Sequence, residues 1–129
     1  AMLALDSGQI WWSRETSSYR GLALAGETLY VTGADSIVLA LRRRDGTPLW
    51  QQDRMARRGL TAPAVDGEAL VVADFEGYVH WLDAASGALI GRIRAGSRRY
   101  TNAPVAADGF VYLQNDTGEL YALRAQPRK

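Results

Sequence analysis

The chain of 129 residues has no cysteine, one histidine and one lysine, and its formal net charge is only +1. Without cysteine there are no disulfides, no thiolate metal sites and no cysteine nucleophile, and the redox compartment stays open. One histidine without cysteines cannot build the clustered site that zinc takes, so His80 reads as a structural or surface residue. No apolar run approaches the ~18 residues of a membrane span, and the opening residues lack a signal-peptide pattern. Fourteen arginines and the lysine face fourteen acids. A dedicated nucleic-acid domain has a pI above about 9 with clustered bases, so this balance argues against nucleic acid as a partner. Sustained helical periodicity is missing too.

What is present is a repeat. "GETLYVTGADSIVLALRRRDGTPLW" from Gly26 aligns without a gap on "GEALVVADFEGYVHWLDAASGALIG" from Gly67, at a shift of 41. The shift carries Leu29 to Leu70 to Val111, Val31 to Val72 to Leu113, and Leu41 to Leu82 to Leu123. Gly46 matches Gly87, and Gly77 matches Gly118. A shorter copy, "LALDSGQIWW", puts Gly8 and Trp12 in the places of Gly46 and Trp50.

Each copy reads as strands, because runs such as "ETLYVTG", "EALVVAD" and "GFVYLQN" are rich in β-branched and aromatic residues between turn formers. The connections are too short for parallel crossovers, so the strands form antiparallel hairpins. Pro63 and Pro104 cannot donate to a ladder and suit strand starts or unpaired edges. Four strands per ~41 residues is the period of a β-propeller blade. The fold class is therefore all-β, with PQQ-like or WD40-like four-stranded antiparallel repeats, about three blades of a larger ring. The expected boundaries are the end of one blade at 3–15, blades at 20–54 and 61–95, and a last blade at 102–124 lacking its outer strand.

A blade has two apolar faces that only neighbouring blades can cover. Trp12 and Trp50, each four residues past a turn glycine, are the expected blade-packing anchors, with Gly46 and Gly87 in the same role. Gly91 holds the tryptophan position in the third copy, and Trp81 stands where other copies have Ala40 and Ala122. "DFEG" and "NDTG" lack the ligand spacing of an EF-hand and fall where the repeat needs a turn. Arg42, Arg43 and Arg44 lie in a solvent-facing turn. Tyr19, Arg20, Arg57, Arg58, Arg98, Arg99 and Tyr100 fall in equivalent inter-blade loops, which project from one face. Arginine and aromatics are favoured at interfaces, so these seven are the candidate protein-contact residues; the alternative is a solvated face with no partner. No residue is singled out for catalysis, metal or cofactor binding.

"ALDSGQIWW", "LTAPAVDGEALVVADFEGYVHWLD" and "NAPVAADGFVYLQNDTGELYALR" carry a resemblance over nearly the whole chain. They resemble the pyrroloquinoline quinone (PQQ)-like repeat of eight-bladed propellers, and within it the BamB family, lipoproteins of the outer-membrane β-barrel assembly (BAM) machinery. The resemblance implies a non-enzymatic scaffold at the periplasmic face of the outer membrane, anchored by lipid in the parent protein. It implies the periplasmic domains of BamA as partner, with unfolded outer-membrane proteins as a further one. The resemblance implies that the family's best-known contact with BamA uses inter-blade loops upstream of residue 1, and the loops around Arg20, Arg57 and Arg98 are their positional equivalents in later blades. Two alternatives stand beside it: a piece of a PQQ-dependent dehydrogenase, which would add a calcium site, a catalytic carboxylate and commonly a disulfide, and a ligand-sensing propeller. A ring of four to eight blades needs roughly 160–330 residues, so about three blades form a fragment. Its open strand edges are expected to pair between molecules, the "QIWWSR" strand first.

Overall fold

In the computed structural model, residues 19–124 other than 34 and 97 are described. They form three antiparallel sheets that follow one another along the chain. The first holds β1 (Tyr19–Ala25), β2 (Thr28–Gly33), β3 (Val38–Arg42) and β4 (Pro48–Gln52) in sequence order. The second holds β5 (Ala64–Asp66), β6 (Ala69–Ala73), β7 (Tyr78–Asp83) and β8 (Leu89–Arg94). The third holds β9 (Val105–Ala107), β10 (Phe110–Gln114) and β11 (Leu120–Leu123). We call these sheets blades I, II and III. The expected segment 3–15, with Trp12, lies outside the described residues.

The repeat in the sequence is also a repeat in register. Leu29 pairs with Leu41, Leu70 with Leu82 and Val111 with Leu123, each pair displaced by 41 from the one before. A bulge falls between Ala40 and Leu41 in blade I and between Trp81 and Leu82 in blade II, at the same repeat position. Turn chemistry recurs as well. Asp108 (φ 54) and Gly109 (φ 81) turn β9 into β10 with two positive φ values, as a type I′ hairpin requires. Pro48 opens the outermost strand of blade I, where a missing N–H costs no ladder bond.

The core lies between blades rather than within them. Side chains alternate across each strand, so Tyr30, Val38 and Ala40 of blade I meet Leu70, Val72 and Leu82 of blade II. The opposite face of blade II sends Val71, Ala73, Val79 and Trp81 against Val111 and Leu113 of blade III. The innermost strands β1, β5 and β9 contact one another in that order, as around a propeller axis. Faces with no neighbouring blade among the described residues stay open: Leu22 and Leu24 on blade I, and Val105, Phe110, Tyr112 and Leu120 on blade III. Leu120 shows the rule most clearly. It occupies the repeat position of the fully buried Val38 and Val79, yet it is 73% exposed, because no further sheet among the described residues covers it.

Trp50 joins blade I to blade II. Its indole N–H donates to Ala84 O (2.9 Å), its ring lies near Tyr30, and its six-membered ring covers Gly87 in the β7–β8 turn. A Cβ on Gly87 would intrude into that ring, and the left-handed φ of 78° also favours glycine there. The next interface solves the same problem differently. Ala40 pairs with Trp50 in blade I, whereas Trp81 pairs with Gly91 in blade II. Cross-strand partners share a face, so the large ring has moved to the neighbouring strand while the blade-facing volume is kept. The exchange has a cost: Trp81 Nε1 is buried without a partner among the described residues. An unpaired donor of this kind costs about 1–3 kcal/mol.

The Trp50–Gly87 contact makes a double-mutant prediction. Gly87→Ala should lower stability by about 1–3 kcal/mol, and by clearly less when Trp50 is already alanine. Gly91→Ala, whose Cβ would meet open space, should stay within about 0.5 kcal/mol of the parent. Urea unfolding of these variants checks both statements; an equal cost of Gly87→Ala in the two backgrounds would refute the contact.

Candidate functional site

Two inter-blade loops, residues 53–63 and 95–104, run side by side on one face with the β6–β7 turn between them. Backbone hydrogen bonds tie each loop to the turns of both flanking blades. Arg57 N–H donates to Asp35 O (3.3 Å), Phe75 N–H to Arg58 O (3.1 Å), Tyr100 N–H to Asp74 O (3.2 Å) and Asp116 N–H to Arg99 O (2.9 Å). Ser36 Oγ accepts from both Gly59 N–H (2.9 Å) and Leu60 N–H (3.1 Å). Between the loops lies a groove of about 240 Å³, lined by Arg57, Gly59, Leu60, Phe75, Arg99, Tyr100 and Thr101. Phe75, 38% exposed, forms its aromatic wall.

The candidate contact residues divide on this face. Arg57, Arg98 and Arg99 are exposed, and none of them meets a carboxylate among the described residues. Arg58 instead turns inward and pairs with Asp74 at 3.5 Å. Tyr100 corrects the sequence reading: it is 1% exposed and cannot offer its side chain to a partner. It packs into the blade II–III interface and its hydroxyl donates to Ala95 O, because this loop must fill the wedge that Met55 and Leu60 fill between blades I and II. Tyr19 and Arg20 belong to strand β1 rather than to a loop, with Tyr19 opposite Gly33; their side chains lie outside the described residues. Gly46 is buried in the β3–β4 turn with φ 75°. Phe75 was missed by sequence reasoning, since a hydrophobe inside "DFEG" carries no pattern that separates a wall residue from a turn residue.

Behind the groove sits a buried ionisable cluster. Asp74, fully buried, accepts from Glu76 N–H (2.9 Å) and Tyr78 N–H (3.0 Å) through Oδ1, and its Oδ2 lies 2.8 Å from His80 Nε2. Burial resists ionisation of this carboxyl, but the His80 ring and the two backbone donors outweigh it, holding the group below its ordinary 3.8. His80 is thus a buried polar residue rather than a surface one. Asn115 closes the equivalent turn of blade III by accepting from Thr117 N–H (3.2 Å) and Glu119 N–H (2.9 Å), without any charge. Among the described residues, no group of three or more histidines and acids is placed to share a metal ion.

The sequence profile of the outer membrane protein assembly factor BamB matches residues 1–52 and again residues 34–127, overlapping as a repeat does. The chain belongs to the BamB family. BamB of Pseudomonas aeruginosa is 39% identical over 122 residues, which is 95% of this chain and 32% of that protein. BamB of Shewanella oneidensis is 36% identical over 118 residues, 92% of this chain and 30% of that protein. The chain thus spans about a third of the length of the relatives it matches. The crystal structure of BamB from Moraxella catarrhalis superposes with a TM-score of 0.76 at 26% identity, covering 84% of this chain and 33% of that one. A quinohemoprotein alcohol dehydrogenase of Pseudomonas putida reaches a TM-score of 0.77 at 23% identity, over 92% of this chain and 21% of that one. That second likeness shows the shared all-β propeller fold.

Two titrations check the buried groups. A carboxyl with a depressed folded pKa adds stability above its unfolded value, and that stability is lost as pH falls through the folded value. Asp74→Asn should therefore cost about 1–3 kcal/mol at neutral pH and converge with the parent as acid protonates the buried carboxyl, below the ordinary carboxylate range. A difference that persists unchanged into acid would refute the charge-based account. Tyr100 is pushed up to about 12 by burial and by its neighbours Tyr121 and Glu119. Its contribution is present below the unfolded value of 10.0 and fades as pH rises toward 12, so Tyr100→Phe should flatten the alkaline loss of stability.

Proposed function

We propose that this chain is part of a non-enzymatic scaffold subunit of the outer-membrane protein assembly machinery, held at the periplasmic face of the outer membrane through a lipid anchor on the parent protein. Family membership along nearly all of the chain carries the proposal. The geometry supports a docking role. Rigid sheets hold two short loops side by side, and the loops with the turn between them offer three arginines and one phenylalanine without a neutralising carboxylate among the described residues. Arginine and aromatic residues at such positions are the usual anchors of protein interfaces. The partner is the periplasmic part of BamA, approached through the exposed face of Arg57, Phe75, Arg98 and Arg99.

A second mode of contact is the outer edge of β11, which pairs only with β10 among the described residues. Blades I and II carry a fourth strand at this place. The edge accepts an extended segment, either of an unfolded outer-membrane protein or of a second copy of this chain. The "QIWWSR" strand expected to do this lies outside the described residues.

Calorimetry with the periplasmic domains of BamA tests the docking face. Arg57→Glu with Arg99→Glu should weaken binding about tenfold or more, and the parent's affinity should fall as salt rises. Unchanged affinity in the double variant would remove this face from the contact. A well-folded intact parent that left BamA unbound would sink the scaffold reading as a whole.

A further inference from the structure

A second cleft opens away from the loop groove, where the segment after β4 crosses the β7–β8 face of blade II. It measures about 360 Å³ and is lined by Arg54, Met55, Arg58, His80, Leu89, Ile90, Gly91 and Arg92. Three arginines and a histidine thus border one space. The carboxylate beside it, Asp74, is fully buried and already engaged by His80, Arg58 and two backbone N–H groups. Arg54 and Arg92 meet no carboxylate among the described residues. Arg92 is held over the Tyr78 ring, 5.0 Å from its centroid, and Arg94 lies over the same ring at 5.5 Å.

The propeller scaffold does not ask for these groups. At the repeat shift of 41, Asp74 and His80 become Gly33 and Leu39 in blade I, and Asn115 and Tyr121 in blade III. Arg92 becomes Gln51 in blade I. All three sheets keep the same strand order and register with those replacements. Blade II therefore carries a buried charged cluster and converging cations where its neighbours fold without them. Like charges around a partly desolvated cleft repel one another until an anion enters. Guanidinium forks suit an anion with several oxygens, and the tetrahedral phosphate group can serve more than one fork at once. Leu89 and Ile90, 40% and 61% exposed, give the cleft an apolar lip beside the cations.

We infer that this cleft binds a phosphate group, carried on a lipid headgroup or on a soluble phosphate ester, with Arg54, Arg58 and Arg92 as its donors. Asp74 and His80 position Arg58 from behind. The test titrates inorganic phosphate into the 129-residue chain, followed by backbone amide shifts. Saturable shifts are expected at residues 54–58 and 90–92. Arg54→Gln with Arg92→Gln should weaken binding about a hundredfold, each lost charge-assisted contact being worth about tenfold or more. Arg42→Gln with Arg44→Gln removes the same charge from a distant turn and should change affinity by no more than about twofold. Circular dichroism and thermal unfolding confirm that both variants remain folded. Sedimentation with phosphatidylcholine vesicles, with and without phosphatidylglycerol, then separates the sources. Capture that needs phosphatidylglycerol and fails in the Arg54/Arg92 variant assigns the headgroup; saturable phosphate binding without capture assigns a soluble ester. Shifts that never saturate, or equal losses in the two variants, overturn the inference.

Discussion

A blade of this protein is hydrophobic on both faces, and only another blade can cover them. Everything else in the structure depends on that constraint. The two buried clusters straddle sheet boundaries, and no sheet owns a core of its own. The exposed Tyr112 and Leu120 on the outer face of blade III belong to the same rule, since their repeat equivalents Tyr30 and Val71, and Val38 and Val79, are buried against a neighbour. Stability in such an array is shared between nearest neighbours.

That constraint explains how the tryptophans behave. What the interface requires is a ring's worth of volume at one height on the blade face. Blade I supplies it from β4 and blade II from β7, with alanine or glycine opposite in each case. The hydrogen bond from Trp50 to Ala84 is specific to the first solution, and its absence at Trp81 shows that volume is kept more strictly than polarity. The same logic governs the inter-blade loops. Met55, Leu60 and Tyr100 are loop residues by sequence but interface residues by packing.

Sheets with short, stitched loops hold side chains in fixed places. The groove at Phe75 and the cleft at His80 both arise where a connecting segment crosses a blade, and both gather arginines there. They differ in company. The groove is walled by Phe75, whereas the cleft is bordered by His80, which meets the buried Asp74. The proposed docking face and the proposed anion cleft thus belong to the same kind of junction.

The sequence by itself determined the repeat, its period, the antiparallel strands and the turn positions, because these rest on local propensity and on a pattern of hydrophobic alternation. It also marked Trp12, Trp50, Gly46 and Gly87 for blade packing, since a ring and a turn glycine each recur between copies; that Trp50 covers Gly87 was decided by the fold. It marked Arg57, Arg98 and Arg99 as exposed, because equivalent loops emerge on one face. Tertiary structure alone decided that Tyr100 turns inward, that Arg58 pairs with Asp74, and that Phe75 walls a groove. These outcomes depend on which wedge a loop must fill and on groups brought together across turns and strands. "DFEG" reads as an ordinary turn in sequence. Only when β7 folds back beside it does His80 arrive at Asp74, and a single turn residue becomes the centre of a charged cluster.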